Sequence, residues 1–432
     1  MCALLLRPAA GPLDAVVRPP GSKSITNRAL VIAALAGGKS RLTGVLFADD
    51  TRHMLDALER LGIDVSDDPA TGTVNISGCD GHLPASEAEI YCGNSGTTMR
   101  FCTAMCALGF GEYTLDGMAR MRERPIGALV EALQALGTPV RCLGEEGYPP
   151  LHIYAQGLKG GEVHFDSPPS SQLVSALLMA APCARSDVMI AVRGQLVSEP
   201  YVRMTLAVME TFGVTVLDRV EPDSARYIVA APQRYAGCEY AVEPDASNAS
   251  YFLAAPAVAG GKVTVEGLGT SSIQGDAHFV DILEQMGCRI ERAPDCLTVH
   301  GPASGERLRG IDVDLNRMPD MVQTLAVVAL FAQGPTRVRN VANLRLKETD
   351  RLAALAHELG RMGAEVELES DGLMIRPPDE VVGAHVDTYD DHRMAMSFAL
   401  ASLRVDGVVI NEPGCVSKTF PDFFDRWQGL AS

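Results

Sequence analysis

Several short runs of hydroxyl, amide and basic residues sit directly before apolar stretches that read as helices. The first is Pro20-Gly21-Ser22-Lys23-Ser24-Ile25-Thr26-Asn27-Arg28, which leads into the apolar run that begins at Ala29. Free N-terminal amides, small hydroxyls and the Lys23 and Arg28 cations suit a phosphate or a carboxylate. An ordinary helix cap with a solvated lysine explains the same residues, and in isolation it is the simpler reading. The nucleotide phosphate-loop pattern is not met: Lys23 follows Ser22 rather than glycine, and Ala33 stands five residues before Gly38 in Gly37-Gly38-Lys39-Ser40.

Gly93-Asn94-Ser95-Gly96-Thr97-Thr98-Met99-Arg100 is a second turn of this kind. Gly96 has no side chain, so its amide could approach a ligand closely, though a plain capped turn is equally consistent. Asp166-Ser167-Pro168-Pro169-Ser170-Ser171-Gln172 is a third, with hydroxyls and an amide for an alcohol or phosphate. Arg122 and Arg124 flank Glu123 ahead of Pro125, and bidentate arginine is the favoured partner of carboxylate and phosphate. Lys347 and Arg351 are four apart, which predicts a shared helix face. Surface ion pairs account for that spacing equally well. Asp390-Asp391-His392-Arg393 opens another apolar helix, with His392 expected as a hydrogen-bonded structural residue. Asp320 precedes an apolar stretch and is either a helix cap or a base. No H-E-x-x-H, G-x-S-x-G or clustered Cys/His set is present, so neither a metal site nor a serine hydrolase is expected.

Composition narrows the partners. The formal charge of −17 argues against a nucleic-acid-binding face while leaving room for a small anion in a local basic pocket. Eleven cysteines without a C-x-x-C read as reduced thiols. No apolar run reaches membrane-spanning length, and Met1–Pro8 lacks a charged leader and a long apolar core. A cytoplasmic protein without membrane attachment is expected.

The elements that would position these residues follow a repeat. Helix-like segments ending in glycine recur at Gly62, Gly137, Gly213, Gly287 and Gly363, spaced 75, 76, 74 and 76 residues. Each leads into strand-like sequence, as a left-handed glycine cap would. Short strands end at Gly44, Gly117, Gly194, Gly267, Asn340 and Glu412, with spacings of 73, 77, 73, 73 and 72. Six units of roughly 72 residues result, in an α/β (α+β) class. The sixth lacks its final strand, and Leu4-Leu5-Leu6-Arg7-Pro8, similar to Leu373-Met374-Ile375-Arg376-Pro377, could supply it. The units divide into an N-terminal domain, 21–240, and a C-terminal domain, 1–20 plus 241–432. The polar loops after the strand-end landmarks differ from unit to unit, which is how one asymmetric site built from equivalent loops would read.

In combination, PGSKSITNRAL, GNSGTTMR, RMRERPI, SSQLVSALLMAAP, LVSEPY, PDASNASYF, NLRLKETDR, YDDHRMAMS and SKTFPDF resemble the 5-enolpyruvylshikimate-3-phosphate synthase family of enolpyruvyltransferases, in the same order along the whole chain. The resemblance implies two similar domains of three βαβαββ units each, an inverted α/β barrel with the active site in the cleft between them. It implies transfer of the enolpyruvyl group of phosphoenolpyruvate to the 5-hydroxyl of shikimate 3-phosphate, with no cofactor or metal, in a protein expected to be monomeric. Lys23, Ser24, Arg28, Ser170, Ser171, Gln172, Ser198, Tyr201, Asp320, Asn343 and Lys347 would hold shikimate 3-phosphate. Lys23, Asn94, Gly96, Arg100, Arg124, Gln172, Arg351, Arg393 and Lys418 would hold phosphoenolpyruvate. Asp320 would serve as base for the 5-hydroxyl and Glu348 would exchange the methylene proton, with Lys23 as rival acid.

The chain departs from the family pattern at Ser95, Thr98 and Phe101. These leave the reaction intact but put sensitivity to glyphosate, a phosphoenolpyruvate analogue, in doubt. The related UDP-N-acetylglucosamine enolpyruvyltransferases carry a cysteine in the corresponding loop, and residues 107–124 contain none. A non-catalytic six-unit ring would repeat a basic helix face, which this chain does not.

Overall fold

The structure is a computed structural model and describes residues 3–303 and 305–431. Met1 and Cys2, part of the segment read as leaderless, lie outside the described residues. The chain forms two compact units, 21–242 and 1–20 with 243–432.

One repeat explains both. In its complete form it runs through strand Glu87–Tyr91, helix Gly96–Cys106, strand Phe110–Asp116, helix Gly127–Ala135, and strands Val140–Cys142 and Leu151–Gln156. The first two strands pair in parallel across their helix, and the last two add antiparallel, so the sheet order is first, second, fourth, third. A helical crossover is what a parallel pair requires. The same order recurs from Gly161–Asp166 to Ser224–Val229 and from Asp312–Asp314 to Leu373–Arg376.

The remaining repeats borrow strands. Leu13–Val17 pairs in parallel with Gly261–Glu266, while Glu239–Ala241 pairs in parallel with Lys39–Thr43. Each passage of the chain between units thus leaves a strand completing a sheet of its own unit. In the last repeat Ala3–Leu5 pairs antiparallel with Val409–Asn411, the position that Leu373–Arg376 holds against Thr336–Arg339. The N-terminal strand does supply the piece that the sequence lacks at its end.

The two helices of each repeat differ in composition for a physical reason. The first is buried on all sides: every residue of Gly96–Cys106 and of His392–Ser402 is buried. Such helices lack a polar outer face, and the polar side chains they do carry, such as Arg100 and Arg393, are themselves buried. Within unit 21–242, Gly96–Cys106 lies along Ser171–Ala180, and both touch Lys23–Leu35. In the other unit Ala246–Ala259, Val322–Ala329 and His392–Ser402 contact one another in the same way. The second helices, such as Asp49–Arg60 and Arg351–Arg361, expose one face. The five glycines that close them all adopt left-handed φ, from +82° to +114°.

Candidate active site

Most of the polar residues singled out in the sequence lie at or just before helix N-termini. In unit 21–242, Ser22 caps Lys23–Leu35 by accepting from the Ile25 amide, and Ser170 caps Ser171–Ala180 by accepting from the Gln172 amide. The cap reading of the first run therefore holds at Ser22, though its lysine is not solvated, its side chain being only 15% exposed. Lys23 Nζ lies 3.2 Å from Asp50 Oδ2. The backbone carbonyl of Asp50 accepts from the Ser95 and Thr98 hydroxyls, so the departures from the family pattern in that turn tie it to the Lys23 partner.

Arg28 is 1% exposed and bonded entirely to neutral groups. Its Nε donates to Thr205 Oγ1 at 2.7 Å, Nη1 to the Ser24 carbonyl at 2.9 Å, and Nη2 to Ser175 Oγ at 3.3 Å and the Tyr201 carbonyl at 3.1 Å. Burial lowers its pKa to about 10, against a small opposing pull from Tyr201 and Tyr240. Arg124, 4% exposed, donates from Nη1 to the backbone oxygen and Oδ1 of Asn94, at 3.1 and 3.2 Å, and its Nε has no partner. Among the described residues neither arginine has a carboxylate partner. Arg100 donates to the Gly96 carbonyl at 3.2 Å and the Pro125 carbonyl at 2.9 Å. A Cβ at Gly96 would stand 2.6 Å from Arg124 Nη2 and 2.9 Å from Arg100 Nη1, so only glycine leaves both guanidinium groups in place. Ser198 adopts φ +57° ahead of helix Glu199–Thr211, which carries Tyr201. Arg122 is instead a surface residue paired with Asp116 at 2.5 Å.

The other unit solves its electrostatics differently. Arg351, 1% exposed, donates from Nε to Asp391 Oδ2 at 2.7 Å, from Nη2 to Glu348 Oε2 at 2.8 Å, and from Nη1 to Asp320 Oδ1 at 3.0 Å. Burial disfavours its charge, but Asp391, Glu348 and Asp320 outweigh that and hold it well above the ordinary guanidinium range. Asp320 also receives Arg393 Nη2 at 2.9 Å on its other oxygen, with Lys347 Nζ at 3.7 Å. Lys418 Nζ is 3.9 Å from Glu348 Oε1. Arg393 Nη1 donates to the hydroxyl of fully buried Tyr251 at 3.3 Å, a phenol that burial pushes up to about 12. His392 is buried with Nδ1 3.6 Å from Asp391 Oδ1.

Two local expectations are corrected. Lys347 and Arg351 do not share a helix face, because the helix starts at Arg351 with Asp350 as its cap, and Lys347 is in extended backbone after the turn Ala342–Leu346. They meet on Asp320 all the same. Nor is Asp320 a helix cap: it lies inside the short turn Pro319–Met321 before helix Val322–Ala329, and its carboxylate faces cations.

The geometry thus gathers Asn94, Gly96, Arg100 and Arg124 in one cluster, and Ser24, Arg28 and Tyr201 in another. Asp320, Lys347, Glu348, Arg351, Arg393 and Lys418 form a third. Asn343 is buried in the turn before Lys347, with its Oδ1 unpartnered. Ser170 and Gln172 stay half-exposed at their helix start, and Ser171 is buried there. Sequence reasoning left out Asp50, Tyr251 and Asp391 as site residues. Asp49-Asp50 and Asp390-Asp391 are polar pairs visible in the sequence, whereas Tyr251 ends the polar part of PDASNASYF ahead of an apolar run, where a tyrosine reads as core. Among the described residues no group of three His, Cys, Asp or Glu side chains could hold a metal ion, and the described cysteines are all free.

Arg28 and Arg124, buried on neutral partners in one unit, and carboxylate-tethered cations in the other suit small polyanions, on an α/β fold built from six repeats. A 3-phosphoshikimate 1-carboxyvinyltransferase from Shewanella amazonensis is 50% identical over 423 residues, covering 97% of each chain. One from Aliivibrio salmonicida is 49% identical over 434 residues and covers 100% of each chain. A solved structure of EPSP synthase from Acinetobacter baumannii superposes with a TM-score of 0.80 at 27% identity, covering 99% of this chain and 98% of that one. The family model for EPSP synthase (3-phosphoshikimate 1-carboxyvinyltransferase) matches residues 8–427, and the chain belongs to that family.

Proposed function

We propose that this protein transfers the enolpyruvyl group of phosphoenolpyruvate to the 5-hydroxyl of shikimate 3-phosphate, forming 5-enolpyruvylshikimate 3-phosphate and phosphate. The observation that supports this best is electrostatic. Arg28 and Arg124 are buried with neutral partners only, a costly arrangement that an anionic ligand would relieve.

Shikimate 3-phosphate engages Lys23, Ser24, Arg28, Ser170, Ser171, Gln172, Ser198 and Tyr201 from one unit, and Asp320, Asn343 and Lys347 from the other. Phosphoenolpyruvate engages Lys23, Asn94, Gly96, Arg100, Arg124 and Gln172, with Arg351, Arg393 and Lys418. Orienting two anions for reaction replaces their repulsion and lost freedom by fixed contacts.

The chemistry is an addition followed by an elimination. The methylene carbon of phosphoenolpyruvate takes a proton from Glu348, and the 5-oxygen bonds to the adjacent carbon as its own proton passes to Asp320. The methyl group then returns a proton to Glu348, the double bond re-forms, and the carbon–oxygen bond to phosphate breaks with its electron pair leaving on phosphate. Lys23, paired with Asp50, is the rival donor for the first proton. Neither a cofactor nor a metal is needed for these steps. We further read the protein as a cytoplasmic monomer without nucleic-acid or membrane partners; among the described residues no helix is long and apolar enough to cross a membrane.

Phosphate release from phosphoenolpyruvate, measured with shikimate 3-phosphate and separately with UDP-N-acetylglucosamine, tests the proposal. Turnover with the first acceptor alone is expected. Turnover with the sugar nucleotide alone would overturn it.

A further inference from the structure

Two consecutive non-glycine residues, Tyr389 and Asp390, hold left-handed backbone at φ +55° and +54°. Such strain persists only where surrounding contacts over-determine it. It falls immediately before Asp391 and Arg393, the residues that grip Arg351 and Asp320. The contacts that hold it come from Glu358, which is 0% exposed yet plays no part in the chemistry above. Tyr389 donates its hydroxyl to Glu358 Oε1 at 2.7 Å, and the Asp387 amide donates to Oε2 at 3.2 Å. Arg361 Nη1 reaches the same carboxylate at 3.3 Å and Asp387 Oδ2 at 3.0 Å. Burial and the bond to Glu358 both push the Tyr389 phenol up, so it stays protonated as the donor.

Glu358 lies seven residues beyond Arg351 on helix Arg351–Arg361, two turns along the same face. The helix is therefore tied to segment 387–391 at two points, Arg351 to Asp391 at its start and Glu358 to Tyr389 and Asp387 further on. One tie would leave the segment free to pivot, whereas two fix its position along the helix.

We propose that Glu358, acting through Tyr389, is a positioning residue that holds the strained turn and thereby sets Arg393 and Asp391 against Arg351 and Asp320. This deepens the functional reading above and rests on it. Loss of the tie should loosen the phosphoenolpyruvate side selectively, because Arg351 and Arg393 are assigned there.

Steady-state kinetics with both substrates varied would test this on the full-length protein, in wild type, Tyr389→Phe, Glu358→Ala and Glu358→Gln. Wild-type turnover checks the functional reading separately; the variants check only this inference. Tyr389→Phe and Glu358→Ala should raise KM for phosphoenolpyruvate roughly tenfold, as expected for a displaced binding group. KM for shikimate 3-phosphate should stay within about twofold, and Glu358→Gln, which keeps an acceptor, should restore most of the difference. Should Glu358→Ala fail to fold, Tyr389→Phe carries the test, since that side chain is 39% exposed and loses only its hydroxyl. An unchanged KM for phosphoenolpyruvate in Tyr389→Phe, or equal rises in both KM values, would overturn the proposal.

Discussion

Asp320 and Glu348 are adjacent to the same guanidinium, Arg351, but stand in different company. Asp320 shares Arg393 and Lys347, while Glu348 looks towards Lys418. If each handles a different proton, Asp320→Asn and Glu348→Gln should each lower kcat by on the order of 10²–10⁴, a larger effect than on either KM, since both replacements keep the side-chain shape and one acceptor oxygen while giving up the charge and the second acceptor. A kcat within threefold of wild type in either would remove that residue from proton transfer. At Gly96 the obstacle is steric. Gly96→Ala places a Cβ against Arg124 Nη2 and Arg100 Nη1, so the guanidinium groups must retreat. KM for phosphoenolpyruvate should rise by roughly tenfold or more with shikimate 3-phosphate KM little changed, readable by varying one substrate at a time. The cations at this scale were legible because their types and spacing stand out beside apolar helices. Tyr251 was not, because a tyrosine leading into Phe252-Leu253-Ala254 looks like core until its hydroxyl is seen on Arg393. The Lys347 and Arg351 spacing misled for a related reason: a four-residue step implies a shared face only if a helix spans it.

The elements were read from glycines and their period, and the backbone shows why that works. Gly213 closes helix Glu199–Thr211 at φ +88° with open space around a would-be Cβ, so its requirement is conformational alone. Gly360 lies inside helix Arg351–Arg361, also with nothing near a Cβ, but without a left-handed φ. Opposite outcomes follow from the same substitution. Gly213→Ala should destabilise by about 1 kcal/mol, and Gly360→Ala should stabilise by about 0.5–1 kcal/mol. In melting temperature these are shifts of about 2–4 °C in opposite directions for a unit of this size, with activity retained. A fall in both would show that Gly360 is needed for more than its backbone. The strand exchange was less legible. Leu13–Val17 and Glu239–Ala241 each look like local strands, and nothing in their composition says that the first pairs with Gly261–Glu266 and the second with Lys39–Thr43. Such pairing is decided by long-range sheet completion, which short-range patterns do not encode.

For the whole molecule, the net charge of −17 described the surface and hid the buried cations that matter for function. The unit containing both chain ends has a connected core running from Leu6 to Leu430, and the other buries its own apolar side chains, among them Ile32, Leu58, Phe101 and Leu177, so each unit has the means to melt as a body. This makes the distribution of the substrate contacts measurable. In the proposed reading shikimate 3-phosphate is held by Arg28 and Ser170 in one unit and by Asp320 and Lys347 in the other, so the first unit to unfold releases it. At about 100 times its dissociation constant, the ligand contributes roughly 2.7 kcal/mol to whatever equilibrium releases it. Differential scanning calorimetry should therefore show the lower-melting transition rising with added shikimate 3-phosphate until it merges with the upper one, after which the merged transition moves upward. If the ligand touches one unit alone, only that unit's transition shifts and the other stays where it was without ligand. Adding the acceptor to Arg28→Ala and, separately, to Lys347→Ala should weaken the joint shift in each case, because either change removes a contact from a shared ligand rather than from a private one.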